Sequence, residues 1–270
     1  MKMRLFVKVF IISASLVTVV LTGDSYALKI NIDPPRVEIS VKPGEEKNGF
    51  VTIQNKDESG SMHVKAYVED LVYLPDGSND FLPVGSTPWS MGDSIKVGPT
   101  EFDIPAGKET MVRYVINLPK DAKGGRYGVI FFESVAPPAE FHKVGANVNV
   151  RLGTVMLVTA QGTEMRKVKL KEIKIETPNK DNPLKISCTV FNEGNVIARP
   201  NGMVKFIDAA KAVVAEVPIN KDKGGVLPNT ARTYFTDYRE GLKKGVYYAQ
   251  VVLDYGGVSL LGGQKKFEIK

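Results

Sequence analysis

Two stretches far apart in the chain, Thr52-Ile53-Gln54-Asn55 and Thr189-Val190-Phe191-Asn192, carry matching strand-end signatures, and the same landmarks follow each in the same order. After the first come Ile104-Pro105, Val112-Arg113-Tyr114 and Lys123-Gly124-Gly125-Arg126-Tyr127. After the second come Leu227-Pro228, Arg232-Thr233-Tyr234 and Lys244-Gly245-Val246-Tyr247. A glycine supplies a left-handed turn that other residues adopt with difficulty, and the tyrosine beyond it opens the next strand. The order is kept while the spacing changes, so one all-β module is read as occurring twice.

Period-2 alternation and turn residues place the strands. The first module runs near residues 36–41, 49–55, 63–73, 111–118, 126–134 and 144–159, and the second near 167–176, 184–192, 202–207, 212–217, 230–237, 245–255 and 259–269. No helical period persists. In immunoglobulin-like sandwiches a tyrosine at the corner before a strand ties the incoming loop to backbone through its hydroxyl, with its ring in the core. The fold expected is therefore all-β, two immunoglobulin-like β-sandwich domains in tandem, over 28–162 and 163–270, with the boundary at Gln161-Gly162-Thr163. The first module is the longer: Asn55 to Pro105 is 50 residues, whereas Asn192 to Pro228 is 36. Its surplus lies in Leu74 to Pro99, which holds the sole tryptophan, Trp89. Trp89 is read as folding back to cap its own domain, with contact to a ligand or glycan as the alternative.

The start of the chain combines Lys2, Arg4 and Lys8 with an apolar run from Val9 to Leu21 and the small-residue site Ser25-Tyr26-Ala27. This is the pattern of a secretion signal over 1–27. The run is 13 residues, too short to span a bilayer comfortably. The product expected is periplasmic or otherwise extracytoplasmic, without stable membrane insertion after cleavage. Losing three basic and one acidic residue takes the net charge from +6 to +4. That mild excess, with no basic run interleaved with aromatics, argues against nucleic acid as a partner. In Arg166-Lys167-Val168-Lys169-Leu170-Lys171 the cations alternate with apolar residues, as on one wet face of an edge strand. The single cysteine, Cys188, shares a strand face with Leu184, Ile186 and Val190 and is expected to be buried and inert.

Little here supports catalysis. His63 and His142 lack metal-ligand spacing and neighbour no nucleophile motif, and Glu45-Glu46 sits in a turn after Pro43-Gly44. The expectation is a binding protein, not an enzyme, with no cofactor and no metal. The informative segment follows Val135-Ala136-Pro137-Pro138-Ala139, a proline-rich loop leading into Val144 to Leu152. There Val148, Val150 and Leu152 share one strand face, with Asn147, Asn149 and Arg151 on the other. Such a row either completes its own sandwich or fills a gap in another protein's sheet by strand addition.

A secretion signal, two immunoglobulin-like domains, an early Pro35-Arg36 strand, a proline-rich loop and then an alternating strand: this layout resembles the periplasmic pilus-assembly chaperones. The resemblance implies that the last strand of the first domain is lent to an incomplete pilus subunit. It also implies that two basic residues in the interdomain cleft hold the subunit's C-terminal carboxylate. Arg36 matches the first of these, and Arg151 is the candidate for the second, where those chaperones usually carry lysine. The stretch Leu118 to Glu133 is in turn similar to the N-terminal, peptidoglycan-binding domain of WxL-interacting surface proteins of Gram-positive bacteria. Two readings follow. In the first, Arg36, Val148, Val150, Arg151 and Leu152 bind a secreted pilus or surface protein subunit by strand donation; in the second, the first domain holds peptidoglycan or another surface protein.

Overall fold

The computed structural model describes residues 30–135 and 150–270. The signal segment, His142, Val148 and the proline-rich loop lie outside the described residues. Residues 30–160 supply ten strands: β1 (Ile30–Asp33), β2 (Arg36–Val41), β3 (Glu46–Asn55), β4 (Met62–Tyr73), β5 (Asn79–Pro83), β6 (Ile95–Gly98), β7 (Glu101–Ile104), β8 (Glu109–Asn117), β9 (Gly125–Val135) and β10 (Arg151–Ala160). Residues 168–269 supply seven more: β11 (Val168–Glu176), β12 (Leu184–Asn192), β13 (Asn201–Asp208), β14 (Val213–Ile219), β15 (Ala231–Tyr238), β16 (Gly245–Asp254) and β17 (Leu261–Ile269).

These strands build two sandwiches. In the first, a sheet of order β1-β3-β8-β6 faces one of order β2-β10-β9-β4-β5, with β7 also on β4. The second sandwich packs β11-β12-β15 against β14-β13-β16-β17. Each pair encloses its own core, one around Ile53, Ile116, Ile130, Phe132 and Met156, the other around Ile186, Cys188, Val204, Phe206 and Val251. Alternation explains most strands. In β12, Leu184, Ile186, Cys188, Val190 and Asn192 point inward in turn, as a sheet with one buried face requires.

β9 breaks that rule, and the break locates the junction. Tyr127, Val129, Ile130, Phe131 and Phe132 are all buried, so the strand is covered on both faces and reads as an apolar run instead of an alternation. Ile130 and Phe132 enter the first core. Tyr127, Val129 and Phe131 face outward into a third cluster, with Leu71, Trp89 and Leu157 from the first sandwich and Ile197 and Leu227 from the second. Trp89 folds back onto this face. Its Nε1–H donates to Leu71 O at 2.9 Å, and its own carbonyl accepts from Tyr127 N–H at 2.8 Å. The loop carrying it is held by buried Asp70, whose carboxylate accepts from Thr87 N–H at 2.8 Å and Ser90 Oγ–H at 2.5 Å.

The repeated signature has a physical basis. Asn55 Nδ2 donates to Gly60 O at 2.8 Å and Ile104 O at 3.1 Å, while its Oδ1 accepts from Asp57 N–H. Asn192 Nδ2 donates to Val196 O at 2.8 Å and Val226 O at 3.0 Å, while its Oδ1 accepts from Gly194 N–H. Each buried amide pins its own following loop and the chain just before the proline turn. The tyrosines diverge, however. Tyr247 donates to Lys243 O at 3.0 Å, within its own corner. Tyr127 instead accepts from Ile197 N–H at 2.6 Å, tying the first sandwich to the second.

Candidate functional site

β10 is the strand on which the site depends. It pairs antiparallel with β9 from Arg151↔Glu133 to Thr159↔Gly125. On its other side β2 runs parallel, but only from Val155↔Arg36 to Ala160↔Val41. Val155 N–H donates to Pro35 O at 3.0 Å, and Val150 O accepts from Ser134 N–H of β9 at 2.9 Å. Backbone groups alternate sides along a strand, so residues 150, 152 and 154 bond toward β9 and residues 151 and 153 face the other edge. Among the described strands nothing pairs with that edge at Arg151 and Gly153.

The side chains of this segment point two ways. Val150 and Leu152 are half-buried and pack against the first sandwich's own core. Arg151 lies on the outer face, where its guanidinium sits 3.5 Å from the Phe131 ring centroid and pairs with Glu69. Tyr67 and Phe81 flank it at 5.5 and 5.7 Å, a cation on aromatic faces. Tyr67 donates to Glu133 at 2.8 Å. Burial first, then that carboxylate, pushes the Tyr67 hydroxyl up to about 12. Arg151 and Arg36 are not brought together, because Arg36 is level with Val155, four residues and therefore about 13 Å further along β10. At Arg36's own level β10 presents aliphatic Val155, and one step on Leu157.

Arg36 is exposed at the start of β2, and no carboxylate among the described residues lies within ion-pair distance of it. The chain delivers it there from β1 in the opposite sheet through Pro34-Pro35, fixed by Thr154 Oγ1–H donating to Pro34 O at 2.8 Å. Two residues on and on the same face, Glu38 accepts from Arg199 Nη2–H at 2.9 Å. Arg199 belongs to the second sandwich. Its backbone is set by the Ala198↔Val226 bridge before it and Pro200 after it. Burial raises the Tyr73 hydroxyl above its ordinary value, against the opposing pull of Arg36, Arg199 and Arg232 in that order.

Arg232 is a junction rivet. Its Nη1–H donates to Gly225 O at 2.6 Å, and its guanidinium stacks 5.8 Å from Tyr73 and 5.4 Å from Tyr234. A Cβ on Gly77, at the tip of the β4–β5 turn, would collide with that guanidinium, and Gly77 also has φ +90°. Among the described residues Arg232 Nε, which is buried, has no hydrogen-bond partner. Beside it Thr233 N–H donates to Pro75 O at 2.8 Å.

The other candidates are occupied structurally. Cys188 is fully buried, which pushes its thiol up to about 12. Lys167 and Lys169 share Glu193 at 3.1 and 2.5 Å. The stretch Leu118 to Glu133 supplies buried Tyr127 and Val129 to Phe132, engaged in packing on both faces of β9. Among the described residues no group of His, Cys, Asp and Glu could hold a metal ion, and no helix is long and apolar enough to cross a membrane. Sequence reasoning missed Glu38, Tyr73 and Arg199. Its usable signals were the unbroken run Val129-Ile130-Phe131-Phe132, which marks a doubly covered strand, and Arg199-Pro200, which marks an extended, exposed arginine.

No family model and no curated protein matches the chain. Among solved structures it is similar to a chain of the chaperone–tip adhesin complex of CFA/I fimbriae biogenesis, with 15% identity and a TM-score of 0.49 over 88% of this chain and 99% of that one. It is also similar to the E. coli chaperone DraB, with 16% identity and a TM-score of 0.42 over 89% of this chain and 95% of that one. A third likeness is to a chain of the Salmonella enterica SafA pilin complex with the SafB chaperone, at 13% identity and a TM-score of 0.44 over 91% and 98% of the two chains.

Proposed function

We propose that the protein is an extracytoplasmic, periplasmic assembly chaperone of two domains, divided at Gln161 to Thr163, that binds a secreted pilus or surface subunit by strand pairing along β10. The observation that carries this reading is the edge at Arg151 and Gly153, with which no described strand pairs. An unpaired strand edge is a template for another chain's strand. Half-buried Val150 and Leu152 supply an apolar row continuous with the chaperone's own core, and Val148 extends the same row in sequence. Arg36, exposed and without an ion-pair partner among the described residues, is the group for the subunit's C-terminal carboxylate.

Magnitudes favour a combination. Burying an aliphatic side chain contributes about 1.5 to 3 kcal/mol, and a hydrogen bond to a charged group roughly 1.5 to 3 kcal/mol. Association itself costs about 4 to 15 kcal/mol. Against the upper part of that cost neither the row nor the arginine suffices alone, so the row and strand bonds give affinity and the arginine fixes register. Arg151, held by Glu69 and Phe131, is assigned to shaping the face beside the lent strand.

The test is Val150→Glu. The expected result is a folded, processed protein that no longer co-purifies with its secreted subunit. Retention of the subunit would remove strand donation from the account.

A further inference from the structure

The outer face of β10 carries Arg151, Gly153, Val155 and Leu157 in turn, and Gly153 is the gap in that row. Directly across on β9 stands Phe131, with Val129 opposite Val155. A Cβ on Gly153 would collide with a Val129 methyl and stand 2.9 Å from the Phe131 ring. The ring has therefore crossed from β9 into the place of the missing β10 side chain. Its position is fixed from the other directions: the Arg151 guanidinium lies 3.5 Å from its centroid, and Phe81 meets it edge-on with centroids 4.9 Å apart.

This gap coincides with the edge at Arg151 and Gly153, with which no described strand pairs, and β2 takes up the pairing only from Val155. A strand added at that edge sets one residue beside Gly153 on the outer face, about 5 Å from a backbone without a side chain of its own. That residue meets the edge of the Phe131 ring across the glycine, with the exposed Arg151 stem on one side and half-buried Val155 on the other. Arg151 already has its carboxylate in Glu69, and Arg36, level with Val155, is committed to the client's chain end. A small side chain leaves the ring edge and Val155 uncovered.

We propose that Gly153 and Phe131 form a selectivity seat on the outer face of β10, and that it takes a large aromatic side chain of the client strand at the position beside Gly153. The proposal deepens the strand-pairing reading and rests on it. The inner row of Val150 and Leu152 suits any client strand with an apolar face; the outer seat distinguishes one such strand from another. An aromatic ring there adds a ring-to-ring contact with Phe131 to the area it buries. Packing an aromatic across a glycine also pins register, because a slip by one residue sends that ring to the opposite face.

The probes are synthetic strand peptides with one apolar face, identical except for the central residue of the other face, which is Phe, Leu, Ser, Glu or Lys. The full mature chain is titrated with each. The Phe peptide is expected to bind about tenfold more tightly than the Ser peptide, with Leu between them and Glu and Lys no better than Ser. F131L should cut the Phe-to-Ser ratio, taken within that variant, to about threefold or less; a ratio left at the wild-type value overturns the proposal. A second measurement needs no variant. With benzoylphenylalanine at the central position, illumination should cross-link wild type at Val129, Phe131 or residues 151–155, and adducts confined to other sites overturn the seat. Equal binding of all five peptides, or tightest binding of the Glu peptide, overturns the seat and leaves strand pairing along β10 standing. Binding of none of them overturns the seat and the strand-pairing reading together.

Discussion

Asn55 and Asn192 show how a single buried amide can define a module. Each is fully buried and ties its own following loop to one segment that the chain brings back from 49 residues away for Asn55 and 34 for Asn192. Truncation leaves several backbone groups without partners, each costing about 1 to 3 kcal/mol. Asn192→Ala is therefore expected to destabilise the second sandwich by roughly 2 to 4 kcal/mol, read as a lower urea midpoint with little change in slope. His63 gives a residue-scale pH effect. Its Nε2 meets Glu101 at 2.7 Å and its Nδ1 meets Asp103 at 2.8 Å. The hydrogen bonds to Glu101, then Asp103, raise its pKa above the ordinary 6.5. A raised folded pKa stabilises fully below the unfolded value and fades as pH rises through the folded one. The attachment of β7 to β4 is thus expected to be firmest between about pH 5 and 6, where His63 is charged and Glu101 ionised, and to weaken as pH climbs beyond about 6.5. Glu101, whose pKa is lowered chiefly by His63, contributes above its unfolded value and loses that contribution as pH falls through its folded one. NMR titration of His63 checks this: Glu101→Gln should move its midpoint back toward 6.5.

At the scale of the element, the two tyrosine corners make opposite predictions. Tyr127→Phe leaves the buried Ile197 N–H without its acceptor and loosens the contact between sandwiches, whereas Tyr247→Phe affects only its own loop. Calorimetry should resolve two transitions for Tyr127→Phe where wild type and Tyr247→Phe give one. Gly77→Ala, which sets a methyl against the Arg232 guanidinium at a left-handed backbone position, should split the transitions in the same way. The long strands were legible because each has one wet face, as in β12 and β16. β5, β6 and β7 were not. They are four or five residues each, in a stretch of turns, and they depend on β4 and β8 for partners that local pattern does not reveal. Candidate residues were legible only in part for the same reason. Arg36 stands at a proline-led strand start, which sequence marks. The resemblance pairs Arg151 with it, but the parallel register of β2 on β10 decides what stands beside Arg36, and register is a property of pairing.

The whole molecule joins two similar sandwiches by dissimilar faces. The second covers part of the first's outer sheet through Ile197 and Leu227, Arg232 fastens the β4–β5 turn, and Arg199 reaches the start of β2. What remains open among the described strands is the edge of β10 at Arg151 and Gly153, next to the surface that the junction shapes. The account stands on that edge accepting another chain's strand. Amide hydrogen exchange along β10, with and without a synthetic strand peptide of alternating apolar and polar residues that ends in a free carboxylate, tests this most directly. Leu152 and Thr154, bonded toward β9, should be protected throughout, while Arg151 and Gly153 should exchange readily in the free protein and become protected on binding. Binding that leaves Arg151 and Gly153 exchanging as before would contradict it.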